Sequence, residues 1–153
     1  MRLWHKDLIK VLPRQQLLAQ WRECCCIARN IAVNGSPNHI LVNPIMDHTI
    51  SDFIHYTMLV YREMVDRHIK CQWDRFIQHF PLYCFNGYWI YNDLYNDWHN
   101  ERYLTQCYYN LQEKFDRGGI PADEWERIEN FYNSRGYNYG KDNGGAITRN
   151  CKL

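Results

Sequence analysis

Met1-Arg2-Leu3-Trp4 opens the chain, and Pro13-Arg14-Gln15-Gln16-Leu17-Leu18-Ala19-Gln20-Trp21-Arg22-Glu23 follows a few residues later. These 23 residues set a chain terminus, a short arm, and then a helix carrying Arg22 beside Glu23. An N-terminal amine has a reference pKa of about 7.7–8.0, against about 10.4 for a lysine. Near neutral pH it is the better supply of neutral nucleophile, and attack on a sugar carbon to give a Schiff base is within its reach. A carboxylate brought close would relay protons and stabilise the cation that forms. The expectation is that Met1, Arg2, Arg22 and Glu23 meet in one site. Taken without any further pattern, Arg22 and Glu23 are a pair of exposed helix charges.

Working outward from this stretch, residues 1–12 read as an extended arm. Pro13 disfavours helix at Leu12 and suits a first helical turn. A helix is expected from there to about Ala32, ending near Asn34-Gly35. Its apolar stripe is Leu17, Trp21, Cys24, Ala28 and Ile31. Gln16, Ala19, Gln20 and Glu23 fall on another face, with Arg22 at the border. Residues 35–50 contain Gly35, Pro37 and Pro44 and read as a connector with a short apolar segment, His39–Val42. Ser51 or Asp52 is expected to cap a second helix that runs to about His68, with Ile54, Met58, Tyr61 and Val65 inward. Residues 71–97 are dense in aromatics and interrupted by Pro81 and Gly87. Irregular structure with a helical turn near Asp74–Gln78 is expected there, the rings packing in the core rather than stacking on bases. A third long helix is expected from about Asp97 to Arg117, with Leu104, Cys107, Leu111 and Phe115 inward, stopped by Gly118-Gly119. Pro121 opens a last one, Ala122 to Asn133, with Trp125, Ile128 and Tyr132 inward. Residues 136–153 read as a flexible Gly/Asn-rich tail.

At 153 residues and 46% hydrophobic content, one domain with a buried core is expected, and disorder is excluded by composition. No apolar run reaches the roughly 18–20 residues of a membrane span, and the N-terminus has no apolar signal region. The expected location is cytoplasmic. Net charge is only +1, but its distribution is uneven. Residues 1–35 carry six Lys/Arg against two acids, residues 36–129 eight against fourteen, and residues 130–153 four against one. Both ends are basic, so a basic face can exist on a nearly neutral protein, although ordinary solvated helix surface would account for the charges equally. The seven Cys include consecutive Cys24, Cys25 and Cys26, which point in three directions on a helix and cannot share one metal. No CxxC or HxxxH pair is present, so small buried thiols are expected rather than zinc.

The basic residue after the terminus, with Leu12, Gln15, Leu17, Ala19, Trp21, Arg22 and Glu23 at their spacing, resembles the pyrimidine dimer DNA glycosylase family of endonuclease V-like enzymes, in the form of a bacterial branch. The likeness is specific over residues 1–26 and has no counterpart in residues 71–98. Asn110-Leu111-Gln112-Glu113-Lys114 is similar to the family's C-terminal helix, and Tyr137-Asn138-Tyr139-Gly140-Lys141 to its aromatic, basic end. The resemblance implies an all-α, single compact domain (residues 1–135) of about four helices, with the N-terminal arm threading between them toward the site. It implies that the Met1 amine attacks sugar C1′ of a damaged nucleotide. Base loss, a Schiff base and β-elimination at the 3′ phosphodiester would follow. Glu23 is then the catalytic carboxylate, and Arg2, Arg14, Arg22 and Lys114 contact DNA. The implied partner is damaged double-stranded DNA, kinked and with a base extruded. The implied protein is a monomer that needs no metal or other cofactor and no membrane.

Three positions depart from the family pattern. Gln16, Cys26 and Asn110 stand where basic residues or a histidine would be, which predicts weaker binding with a flatter salt dependence. Two alternatives stay open: a catalytically silent nucleic-acid-binding module on the same scaffold, and a helical protein-interaction domain that uses its aromatic middle.

Overall fold

Pro13 ends the arm and launches α1, which runs Arg14–Asn34. α1 has no N-terminal side-chain cap of its own. The Arg14 N–H instead donates to Glu124 Oε1 at 3.0 Å, so an acid from the last helix caps the first. At its other end Gly35 adopts φ 69° and its N–H donates to Ile31 O, a left-handed stop that glycine takes without steric cost. The computed structural model describes residues 1–82 and 93–135. No strand occurs among those residues, and the fold is all-α.

The remaining α-helices are α2 (Ile50–Asp66), α3 (Asp74–Ile77), α4 (Glu101–Asp116) and α5 (Ala122–Ser134). Thr49, rather than Ser51 or Asp52, caps α2. Its hydroxyl accepts from the Asp52 N–H while the Asp52 carboxylate accepts from the Thr49 N–H, a reciprocal capping box. α2 stops two residues before His68, which takes a left-handed φ of 54°. The Ile69 N–H then reaches back to Met64 O at 2.8 Å, and Ile69 is buried beside the helix end. α4 begins later than expected because Asn100 caps it, accepting from the Tyr103 N–H at 3.1 Å.

The α1 stripe is buried at Leu17, Trp21, Cys24 and Ala28, and Ile31 packs at its edge. Two further residues of α1, Gln20 and Ile27, are also fully buried. Each apolar side chain so buried contributes roughly 1.5–3 kcal/mol. α2 departs from expectation. Phe53, Ile54, Tyr56, Thr57, Val60 and Met64 face inward, while Val65 is 48% exposed. Both faces of this helix are apolar, so a stripe rotated by one residue satisfies the same periodicity. α4 and α5 pack through Leu104, Cys107, Leu111, Trp125, Ile128 and Tyr132 as expected. Between these helices Tyr108 stacks on Tyr132 at 3.9 Å and Phe115 on Trp125 at 5.1 Å.

Of the aromatic middle, Phe76 and Tyr95 are buried and Trp73, Phe80 and Trp98 pack against the core. Tyr83, Phe85, Tyr88, Trp89 and Tyr91 lie outside the described residues, as does the tail 136–153. Cys24 and Cys107 are buried, Cys25 and Cys71 half-buried, and Cys26 exposed. Burial pushes the Cys24 thiol up to about 12 and the Cys25 thiol up to about 11, so both are protonated near neutral pH. No described helix is long and apolar enough to cross a membrane.

Candidate active site at the chain terminus

The arm is not extended throughout. Residues Lys6–Val11 form a 3-10 helix whose start is capped by the His5 side chain, which accepts from the Asp7 N–H. Leu3, Trp4, Leu8, Ile9 and Leu12 are all buried. A backbone taken out of water this way must find partners for its N–H and C=O groups. Residues 2–6 find them in side chains from three helices and the segment before α4. The Arg2 N–H donates to Glu23 Oε2 at 3.0 Å. The Tyr103 hydroxyl donates to Leu3 O at 2.5 Å. The Trp4 N–H donates to Gln20 Oε1 at 2.9 Å, and Trp4 O accepts from the Tyr56 hydroxyl at 2.7 Å. The Lys6 N–H donates to His99 Nδ1 at 2.9 Å, and the Lys6 ammonium to Leu94 O at 2.7 Å and Asn96 Oδ1 at 3.0 Å.

His5 and His99 stack at 5.2 Å. Burial, the largest cause, holds both imidazoles below the ordinary histidine range, His99 well below it. They are therefore neutral near pH 7. His5 Nδ1 accepts from the Asp7 N–H, which leaves its Nε2 to donate to His99 O at 2.7 Å. Arg67 pins the far end of the arm, donating to Leu12 O at 2.6 Å and Lys10 O at 2.8 Å while pairing with Glu63 at 2.6 Å.

This clamp delivers the terminus to α1. The Met1 amine lies 3.9 Å from Glu23 Oε1, and the other carboxylate oxygen holds the Arg2 N–H. One carboxylate thus spans the first two residues of the chain. The site opens as a cleft of about 450 Å³ lined by Met1, Arg2, Trp4, Gln15, Gln16, Ala19, Glu23, Leu41, Asn110 and Lys114. The amine, Arg2 and Lys114 outnumber the single acid, so the cleft favours an anionic ligand. The Arg2 guanidinium lies over the Trp4 ring at 5.6 Å, which fixes a flexible side chain at the entrance.

Met1, Arg2, Glu23 and Lys114 therefore come together. Arg22 does not join them. It is exposed and lines a separate cleft of about 480 Å³ with Trp21, Cys25, Lys70, Cys71 and Arg75. Arg14 is exposed at the foot of α1 and lines neither cleft. Of the departures from the family pattern, Gln16 and Asn110 line the Met1–Glu23 cleft and Cys26 lies on the exposed surface. Among the described residues, no group of three or more His, Cys, Asp or Glu is placed to hold a metal ion.

Gln20, Tyr56, Tyr103 and His99 position the terminus and are missing from the sequence expectation. For Gln20 a signal existed, since it lies three residues from Leu17 and four from Cys24. Its polarity assigned it to the wrong face. Tyr103 and His99 meet the arm across about a hundred residues, and local spacing carries no trace of that.

No curated protein and no solved structure matches the chain. A family model does match residues 1–75, the segment that contains Met1, Arg2 and Glu23. Over that segment the chain is similar to the pyrimidine dimer DNA glycosylase family.

Proposed function

We propose that the chain is a member of that family, a DNA repair glycosylase with abasic-site lyase activity that acts on pyrimidine dimers or related damage. The observation that carries this reading is the Met1 amine 3.9 Å from the Glu23 carboxylate at the mouth of a cleft with a cationic rim. Glu23 accepts a proton from the terminal ammonium, and the neutral nitrogen attacks C1′ of the damaged nucleotide. The C1′–N glycosidic bond breaks and the base leaves with the electron pair. The departing base takes the proton left on the attached nitrogen, and the sugar ring opens as nitrogen and C1′ form an imine, Glu23 returning its proton to the ring oxygen. The carboxylate so regenerated stabilises the iminium cation. Loss of a C2′ proton to Glu23 then expels the 3′ phosphate, and water hydrolyses the imine to restore the amine. Arg2 and Lys114 hold backbone phosphates beside this centre. Arg22, with Lys70 and Arg75, takes phosphates farther along the duplex. The protein works as a cytoplasmic monomer on damaged double-stranded DNA.

Gln16 and Asn110 on the cleft wall favour a second reading, a nucleic-acid-binding module without chemistry. Borohydride separates the two. With an untagged N-terminus, dimer-containing or abasic duplex should give a covalent protein–DNA adduct on reduction and a nicked strand without it. Salt-sensitive binding with neither product would leave the silent module.

A further inference from the structure

Ile40 is 81% exposed and its neighbour Leu41 48% exposed, at the tip of the turn between α1 and α2. Isolated exposed aliphatic residues are ordinary. These two are adjacent, and their mount is rigid. The Val42 and Asn43 N–H groups both donate to His39 O at 2.9 Å. The His39 N–H donates to Asn43 Oδ1 at 3.1 Å and the Leu41 N–H to His39 Nδ1 at 3.3 Å. Asn30 on α1 ties down Pro37 O at 3.1 Å. Val42 and Ile45 behind the tip are fully buried. Asn38 turns the chain with a left-handed φ of 58°, a conformation that asparagine adopts more readily than other residues with a Cβ.

The position of the tip says what it meets. Leu41 and Arg2 border both the Met1–Glu23 cleft and a neighbouring cleft of about 380 Å³ that also contains Ile40, Trp98, Arg102 and Tyr103. An apolar ridge thus stands at the common rim of two clefts, with Arg2, Arg102 and Lys114 around it. The acids that line the two clefts are Glu23, which holds the terminus, and Asp97, which lies 3.5 Å from His48. An apolar tip between cations matches a duplex, with its apolar base stack between anionic strands. A lipid surface or a second protein copy has no need of the reactive cleft beside the tip.

Resting on the function proposed above, we infer that Ile40 and Leu41 form a wedge that enters the base stack at the lesion and holds it open while the amine approaches C1′. Apolar side chains driven between base steps part them in this way, and damaged steps part most readily.

The test uses the full chain, Leu41→Ala, and Ile40→Ala combined with Leu41→Ala. Both positions are on the surface, so circular dichroism should be unchanged. The probe is a duplex with 2-aminopurine next to a tetrahydrofuran abasic analogue, which cannot form an imine and so reports stacking without chemistry. The wild type should raise the fluorescence on binding and the double variant should lose most of that rise. Borohydride trapping on true abasic DNA should fall more on duplex than on single strands, by a factor of about ten. An equal rise in the variants, or none in the wild type, would overturn the wedge. So would a change confined to self-association in sedimentation. Failure of the wild type to trap single-stranded abasic DNA would instead overturn the chemistry, with the fluorescence still deciding the wedge.

Discussion

Arg22 and Glu23 are consecutive on α1, yet they serve different clefts. Glu23 turns toward the terminus and meets two atoms of it. Arg22 turns toward Trp21, Lys70 and Arg75. At 3.6 residues per turn, neighbours on a helix diverge by about 100°, enough to put two charged groups on opposite sides of a ridge. The Glu23 cleft combines an acid, an amine and flanking cations, a set suited to chemistry. The Arg22 cleft is lined by cations and aromatic surface without an acid, a set suited to holding a strand. Proximity in sequence does not make a site here. The clamp on residues 2–6 does, because it carries the terminus to one flank of α1 and leaves the other flank to solvent.

The largest expected effect separates the two flanks directly. Glu23→Gln keeps bulk but removes the proton acceptor, and should lower turnover on dimer or abasic duplex by at least about 100-fold while a gel shift still shows binding. Arg22→Ala should leave turnover at saturating DNA far less affected. If Arg22→Ala abolished turnover of bound substrate as Glu23→Gln does, the division into two flanks would be wrong.

Next comes the clamp. Gln20→Leu strands the buried Trp4 N–H and should destabilise the fold by about 1–3 kcal/mol, measured as a lower denaturant midpoint. The rate should fall too, since the amine is no longer held. An unchanged midpoint would mean that the arm docks without this bond.

Lys114→Ala should weaken DNA binding and lower the slope of log affinity against log salt by about one, read in gel shifts at several salt concentrations. An unchanged slope would remove Lys114 from the phosphate contacts.

The smallest effect concerns pH. His99 and His5 are held neutral below the ordinary histidine range, so below about pH 6.5 the unfolded chain binds protons that the folded chain does not. Stability conferred by this pair is complete above that pH and is lost as pH falls toward the lowered folded values. Thermal midpoints should therefore drop between pH 7 and pH 5, and His99→Gln should reduce that drop. A midpoint independent of pH over this window would mean that the pair does not secure the arm.

Much of the fold is legible locally because its signals are local. Pro13, Gly35, Gly118 and Pro121 set helix ends through backbone geometry, and Trp125, Ile128 and Tyr132 mark α5 because its outer face is charged. α2 is harder to read, since Phe53, Ile54, Met58 and Tyr61 surround the helix and two stripes fit. The arm is hardest. Leu3, Trp4, Leu8 and Ile9 obey no helical period, and what folds them is a set of partners on α1, α2 and α4. The site follows the same division. The spacing leads to a grouping of Met1, Arg2, Arg22 and Glu23. Met1, Arg2 and Glu23 line one cleft with Lys114, while Arg22 lines another, and the polar anchors at Gln20, Tyr56, Tyr103 and His99 depend on contacts that close only in three dimensions.

The most direct test is to locate the nitrogen that reacts. Untagged protein is reduced with borohydride on abasic duplex, digested, and the adduct mapped by peptide mass spectrometry. The DNA remnant is predicted on the α-amine of Met1, with Glu23→Gln yielding little adduct. A remnant on Lys6, Lys10, Lys114 or any other lysine, or full trapping by protein whose terminus has been acetylated, would contradict the account.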